Sequence, residues 1–142
     1  MNLRITLFTG EEATALAQKL RPELDRLARL KAELDQLEIQ SGVLRLTVSA
    51  GGSARSPEAR ELRETHAHRA RVASEIASGV DAIHAHGCLL KDVERGLLDF
   101  YSLSGDRLVF LCWKRDEPEV AHWHSLESGF AGRQRLDTSE LE

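Results

Sequence analysis

Apolar residues recur at steps of three and four from Ala13 through Leu16, Leu20, Leu24, Leu27, Leu30, Leu34 and Leu37. That spacing lays one continuous stripe along a helix. Thr9 and Glu12 frame its start, because the threonine hydroxyl can accept from the Glu12 amide while the Glu12 carboxylate returns to the Thr9 amide. Glu11 and Glu12 also suit the positive end of the helix dipole. Pro22 sits inside the pattern and predicts a kink or a short separate first segment. The stripe extends through Leu44 and Val48 across an interruption at Ser41-Gly42, so the first helix is expected over 9–49, or only as far as Gln40. The stretch from Ala50 to Ser56 reads as a flexible tip. Ser56-Pro57 then restarts a helix with cap and first-turn proline in the favoured order. Its stripe, Ala59, Leu62, His66, Ala70, Ala73, Ile76, Val80 and Ile83, predicts a helix over 57–86 that closes at Gly87. Two long striped helices joined by a short tip make an antiparallel hairpin.

The period changes after Gly87. Cys88-Leu89-Leu90 is a short strand candidate, and Leu97 to Leu103 with Arg107 to Trp113 flanks the turn Ser104-Gly105-Asp106 as a β-hairpin. Lys114 to Pro118 reads as a polar turn and Glu119 to His124 as a further strand. Leu108 to Trp113 is apolar on both faces and belongs in the middle of the sheet. Gly129 to Arg133 is a glycine-punctuated loop, and the tail from Thr138 is expected to fray. The fold class expected is α+β: residues 1–142 as a single domain, a long antiparallel helical hairpin packed with a small antiparallel sheet of about four strands over 88–133.

Composition narrows the function classes. The net charge is −4, and basic residues are interleaved with acids, as in Arg60-Glu61 and Arg63-Glu64, so no basic stripe for nucleic acid forms. The best apolar run, Leu108 to Trp113, is far short of the ~20 residues of a membrane span. Met1 to Thr6 lacks the apolar core of a signal peptide. Two cysteines, Cys88 and Cys112, make no disulfide framework, which fits reduced thiols in a cytoplasmic protein.

Several motifs together suggest a family. They are Phe8-Thr9 with Glu11-Glu12-Ala13, Lys91-Asp92, Gly96-Leu97 with Asp99-Phe100, Leu111-Cys112-Trp113, Glu117, Trp123-His124 and Gly129-Phe130-Ala131-Gly132-Arg133. The chain thereby resembles an uncharacterised bacterial family, domain of unknown function 2203, over most of its length. The resemblance implies a shared fold and no particular activity. Tyr101, Asp116 and His122 depart from the family pattern, and His84, His86 and Cys88 fall outside it.

The six histidines form three His-x-His pairs. On a helix, residues two apart point to nearly opposite sides, which makes His66/His68 and His84/His86 poor chelators. His122-Trp123-His124 lies on a strand, where residues two apart share a face. Pairing Trp113 with Glu119 across the turn sets Cys112 beside Val120 and Phe110 beside His122, so Cys112, His122 and His124 form a candidate site for a zinc-like divalent metal, with Glu117 or Asp99 as a further ligand. Asp99 is a carboxylate in an apolar strand and needs a partner, for which Arg133, Arg107 and His124 are available. Asp99, Cys112 and His124 are also the candidate catalytic residues of a small enzyme with a thiol nucleophile. Arg133 with its loop amides suits a small anion, or else pairs with a carboxylate of the sheet. Asp92, Trp113 and Glu117 are grouped with Arg133 as candidate ligand-binding residues. The expected function is a small-ligand or metal-binding protein with a polar site on the sheet. The alternatives are the small enzyme and a helical-hairpin adaptor without pocket chemistry. The stripe from Leu16 to Leu37 looks too long for the sheet alone to cover, which predicts a homodimer through the helices.

Overall fold

The computed structural model describes residues 4–50 and 53–136. The expectations for the first residues, for the glycines at the tip and for the tail after Leu136 lie wholly or partly outside the described residues. α1 runs from Gly10 to Ser49 and α2 from Pro57 to His84. The strands are β1 (Leu89–Asp92), β2 (Leu97–Ser104), β3 (Arg107–Lys114), β4 (His122–His124) and β5 (Gln134–Arg135). A short 3-10 turn, Phe130–Gly132, precedes β5.

Both helix starts follow the sequence chemistry. Thr9 and Glu12 form the reciprocal capping box, and Ser56 accepts from the Ala59 amide with Pro57 in the first turn. α1 is continuous through Pro22, so no separate first segment exists. The proline ring is exposed while Leu20 and Leu24 on either side are buried. Burial of a leucine side chain contributes about 1.5–3 kcal/mol, enough for two of them to offset the ~3 kcal/mol cost of an interior proline. Packing against α2 likewise carries α1 past Ser41, which is buried, to Ser49. α2 ends at His84, two residues before the expected 86. The His84 ring nitrogen Nε2 accepts from the Leu90 amide at 3.1 Å, tying the helix end to the start of β1.

The sheet is a five-stranded antiparallel meander in the order β1-β2-β3-β4-β5, one strand more than expected. The extra strand is β5, whose two residues have no alternation to read in the sequence. β3 is central, as its two-sided apolar pattern requires. The β2–β3 turn has positive φ at Gly105 and not at Asp106, the type II′ pattern that matches strand twist.

One sheet face, with Leu98, Phe100, Leu111 and Trp113, packs on Ala13, Ala17, Leu20, Leu24 and Leu27 of α1 and Ile83 of α2. Gly79 lets the helices approach closely, since a Cβ there would lie 2.6 Å from Leu27 Cδ2. The stripe from Leu16 to Leu37 is therefore consumed inside the chain: Leu20, Leu24, Leu27 and Leu37 are buried, and Leu16, Leu30 and Leu34 are half-buried. It is not the spare seam from which a dimer was expected.

Candidate functional site

The other sheet face holds the polar residues. Across β2, β3 and β4, Asp99 stands opposite Cys112, and Cys112 opposite His122. In the next row Tyr101 faces Phe110, and Phe110 faces His124. The expected pairing of Trp113 with Glu119 is thus displaced by two residues. The cause is Val120: it is buried, and its amide donates to Thr14 Oγ1 at 3.1 Å, so the chain crosses α1 before it can pair with β3. A slip of two preserves the face, and Cys112, His122 and His124 still point the same way.

Facing the same way does not make them one cluster. Among the described residues, the donor atoms that converge are those of Asp99, Cys112 and His124, all within 4.8 Å of one another. His122 stays apart, with Nδ1 3.5 Å from Glu117 Oε2 and no hydrogen bond. Burial and the nearby Arg133 hold its imidazole below the usual range. The expected Cys112/His122/His124 set is corrected by exchanging His122 for Asp99.

His124 reaches diagonally across β3 to β2. Its Nδ1 lies 2.8 Å from the Ser125 carbonyl, and its Nε2 lies 3.0 Å from Asp99 Oδ1. A carbonyl only accepts, so Nδ1 carries a proton and donates it. Nε2 and Oδ1 then share one further proton, and the pair is neutral as a unit. Remove that proton, and a bare nitrogen lone pair and a carboxylate face the same point. A ring nitrogen fixed by a backbone carbonyl in this way is the usual support of a metal-ligating histidine. Ser125 was not flagged from the sequence, because it acts through its main chain.

Cys112 is fully buried, and burial together with Asp99 pushes its thiol up to about 12. That is the reverse of the depressed value an activated nucleophile needs. Cys88, also buried, is pushed up to about 11 by desolvation. Among the described residues, one cavity of about 10 Å³ lies against Val109 and Trp123, and an open cleft of about 920 Å³ lies between α1 and the β4–β5 edge. Neither is lined by Asp99, Cys112 or His124.

Arg133 closes the polar face. Its two terminal nitrogens donate to Glu117 Oε1 at 2.9 Å and Oε2 at 3.1 Å. Its guanidinium is also near enough for its charge to act on the Cys112 thiol, and it lies 4.3 Å from the Phe130 ring centre. The bidentate fork that an external anion would use is filled by Glu117. The partner is not Asp99, which belongs to His124. The Glu117 carbonyl meanwhile accepts from Trp113 Nε1 at 3.1 Å and from Arg21 at 2.8 Å, so one residue joins the polar face to the helix layer. Trp113 is in the core on the opposite face and lines no polar site. Asp92 caps a turn by accepting from the Arg95 amide at 3.0 Å and is likewise outside the cluster. His68 pairs with Glu33 at 2.9 Å, away from the cluster.

A helical hairpin carrying a five-stranded sheet, with a buried Asp–Cys–His cluster on the free face, defines an α+β protein whose polar core is sealed by an Arg–Glu pair. The chain belongs to the uncharacterised conserved family DUF2203, domain of unknown function 2203, whose model matches residues 6–136. No curated protein and no solved structure matches it. Asp99, Cys112, Glu117, His124 and Arg133, all among the motifs on which the resemblance rests, converge here. Of the departures from the family pattern, His122 borders the site through Glu117, and Tyr101 stacks on Phe110, which packs against His124. Among the described residues, no helix is long and apolar enough to cross a membrane.

Proposed function

We propose that this protein binds one zinc-like divalent metal ion through Asp99, Cys112 Sγ and His124 Nε2. The observation that carries the reading is the convergence of three suitable donors within 4.8 Å, each at most 3% exposed. Tetrahedral coordination at 2.0–2.3 Å sets donors about 3.3–3.8 Å apart, so the 3.0 Å contact of His124 with Asp99 has to open slightly while donors as far as 4.8 Å apart close in. Nitrogen, carboxylate and thiolate together suit zinc or a neighbouring late first-row ion. The fixed His124 tautomer supports it further. Glu117, near enough for its charge to act on Cys112, is the candidate fourth ligand once Arg133 releases it.

The three donors are buried, which favours a structural or storage role over turnover. The thiol-enzyme reading has no comparable support, since it requires an accessible, acidic Cys112. Elemental analysis of protein purified without a His tag tests the proposal. About one equivalent of metal per chain is expected, lost in Asp99→Asn, Cys112→Ser and His124→Gln, and chelator should lower the Tm. Metal-free protein that takes up no Zn²⁺, and whose Tm Zn²⁺ leaves unchanged, overturns it.

A further inference from the structure

The distal half of α1 carries a second stripe, on the side away from α2. Ala32, Gln36, Ile39, Val43, Leu46 and Ala50 are all exposed, with Ile39, Val43 and Leu46 at 64%, 59% and 75%. Their steps alternate four and three, the 3.5-residue repeat that keeps a seam facing a partner helix. Over the same stretch α1 buries Leu37, Ser41 and Leu44. Ser41 lies two residues from both Ile39 and Val43, about 200° around the helix, and Leu37 and Leu44 lie at least ~80° from every stripe position. The stripe is therefore a separate face and not the rim of the hairpin's own seam.

Gly42 adds an independent observation. A glycine inside a helix costs roughly 0.5–1 kcal/mol relative to alanine. Here a Cβ would meet nothing within 4 Å, so the hairpin itself has no use for the small residue. It flanks the stripe beside Val43, where a partner helix would approach.

We propose that the chain forms a twofold dimer through this stripe, with α1 antiparallel to the α1 of a second copy. One register places all six positions at once: Ile39 against the partner's Val43, Gln36 against the partner's Leu46, and Ala32 against the partner's Ala50. The same register sets Gly42 against the partner's Gly42 beside the axis, where its missing side chain lets the backbones close. Glu33 then faces the partner's Thr47 and Asp35 the partner's Ser49, so no like charges meet at the flanks. The sheets, packed near Ala13 to Leu27, stay at opposite ends, outside the overlap. A second copy fits because a self-complementary stripe closes on itself under a twofold axis. The seam is about 27 Å long at ~1.5 Å per residue, and buries on the order of 1,000 Å², at the lower end for specific interfaces, where weak associations fall.

Light scattering of the full chain at about 100 µM, well above a micromolar Kd, should give twice the chain mass. Val43→Glu and Leu46→Glu should each halve it with an unchanged circular dichroism spectrum, since both sites are exposed. Oxidised Gly42→Cys should cross-link copy to copy. Ala32→Cys should cross-link only when mixed with Ala50→Cys. A monomer at that concentration, a dimer indifferent to both glutamates, or Ala32→Cys cross-linking to itself overturns the proposal.

Discussion

His124 Nε2 lies 3.0 Å from Asp99 Oδ1, and both side chains are 3% exposed. Because His124 Nδ1 is committed to a carbonyl, this contact depends on one shared proton. Compared in chelator, without metal, Asp99→Asn keeps the shape and offers an amide N–H to Nε2, so it should fold with a small loss of stability. Asp99→Leu strands the buried ring nitrogen and should cost about 1–3 kcal/mol. Urea denaturation of the two variants checks the order. Equal stability of both would remove the shared-proton description.

Metal uptake should displace the proton of the Cys112 thiol, which is held at about 12, so that thiolate and carboxylate balance the divalent charge. Apparent Zn²⁺ affinity should therefore rise at least about tenfold per pH unit near neutrality. Competition with a chromophoric chelator at two pH values measures the slope. An affinity independent of pH would mean that the thiol is not a ligand.

The Arg133–Glu117 pair, each side chain 17% exposed, should contribute stability through its fork. Arg133→Lys keeps the charge and loses the bidentate geometry, with an expected cost of about 1.5–3 kcal/mol. Phosphate should leave the wild-type Tm unchanged but raise that of Glu117→Ala, where the guanidinium is free. A phosphate shift in the wild type would restore the external-anion reading of this loop.

Alkylation should be slow in the native protein. The thiolate is the reactive form, and the thiols of Cys88 and Cys112 are pushed to about 11 and about 12. Iodoacetamide rates measured from pH 7 to 9 should stay far below those of urea-unfolded chain. Rapid native labelling of Cys112 at pH 7 would revive the nucleophile.

Gly79→Ala puts a Cβ 2.6 Å from Leu27 Cδ2 in a packed interface. The expected loss is about 1–3 kcal/mol despite alanine's better helix propensity. Thermal melts report it directly, and an unchanged or raised Tm would show that Leu27 yields freely.

Local chemistry in the sequence was enough to determine the capping box at Thr9–Glu12, the Ser56-Pro57 restart, the β-hairpin around Gly105 and the central place of β3. Each depends on neighbours within a few positions or on a period. It also singled out Asp99, Cys112, His124 and Arg133, since a charge in an apolar strand and a His-x-His pair stand out against their surroundings. Tertiary structure alone decided who meets whom. Val120 entered the helix core and moved the β4 register by two residues. Glu117 took Arg133, leaving Asp99 to His124, and His122 was left outside the cluster. Packing against α2 decided that α1 runs to Ser49 and which of its two apolar stripes is buried. Such choices compare burial and hydrogen bonding among residues about a hundred positions apart, as with Thr14 and Val120, and no local period records that comparison.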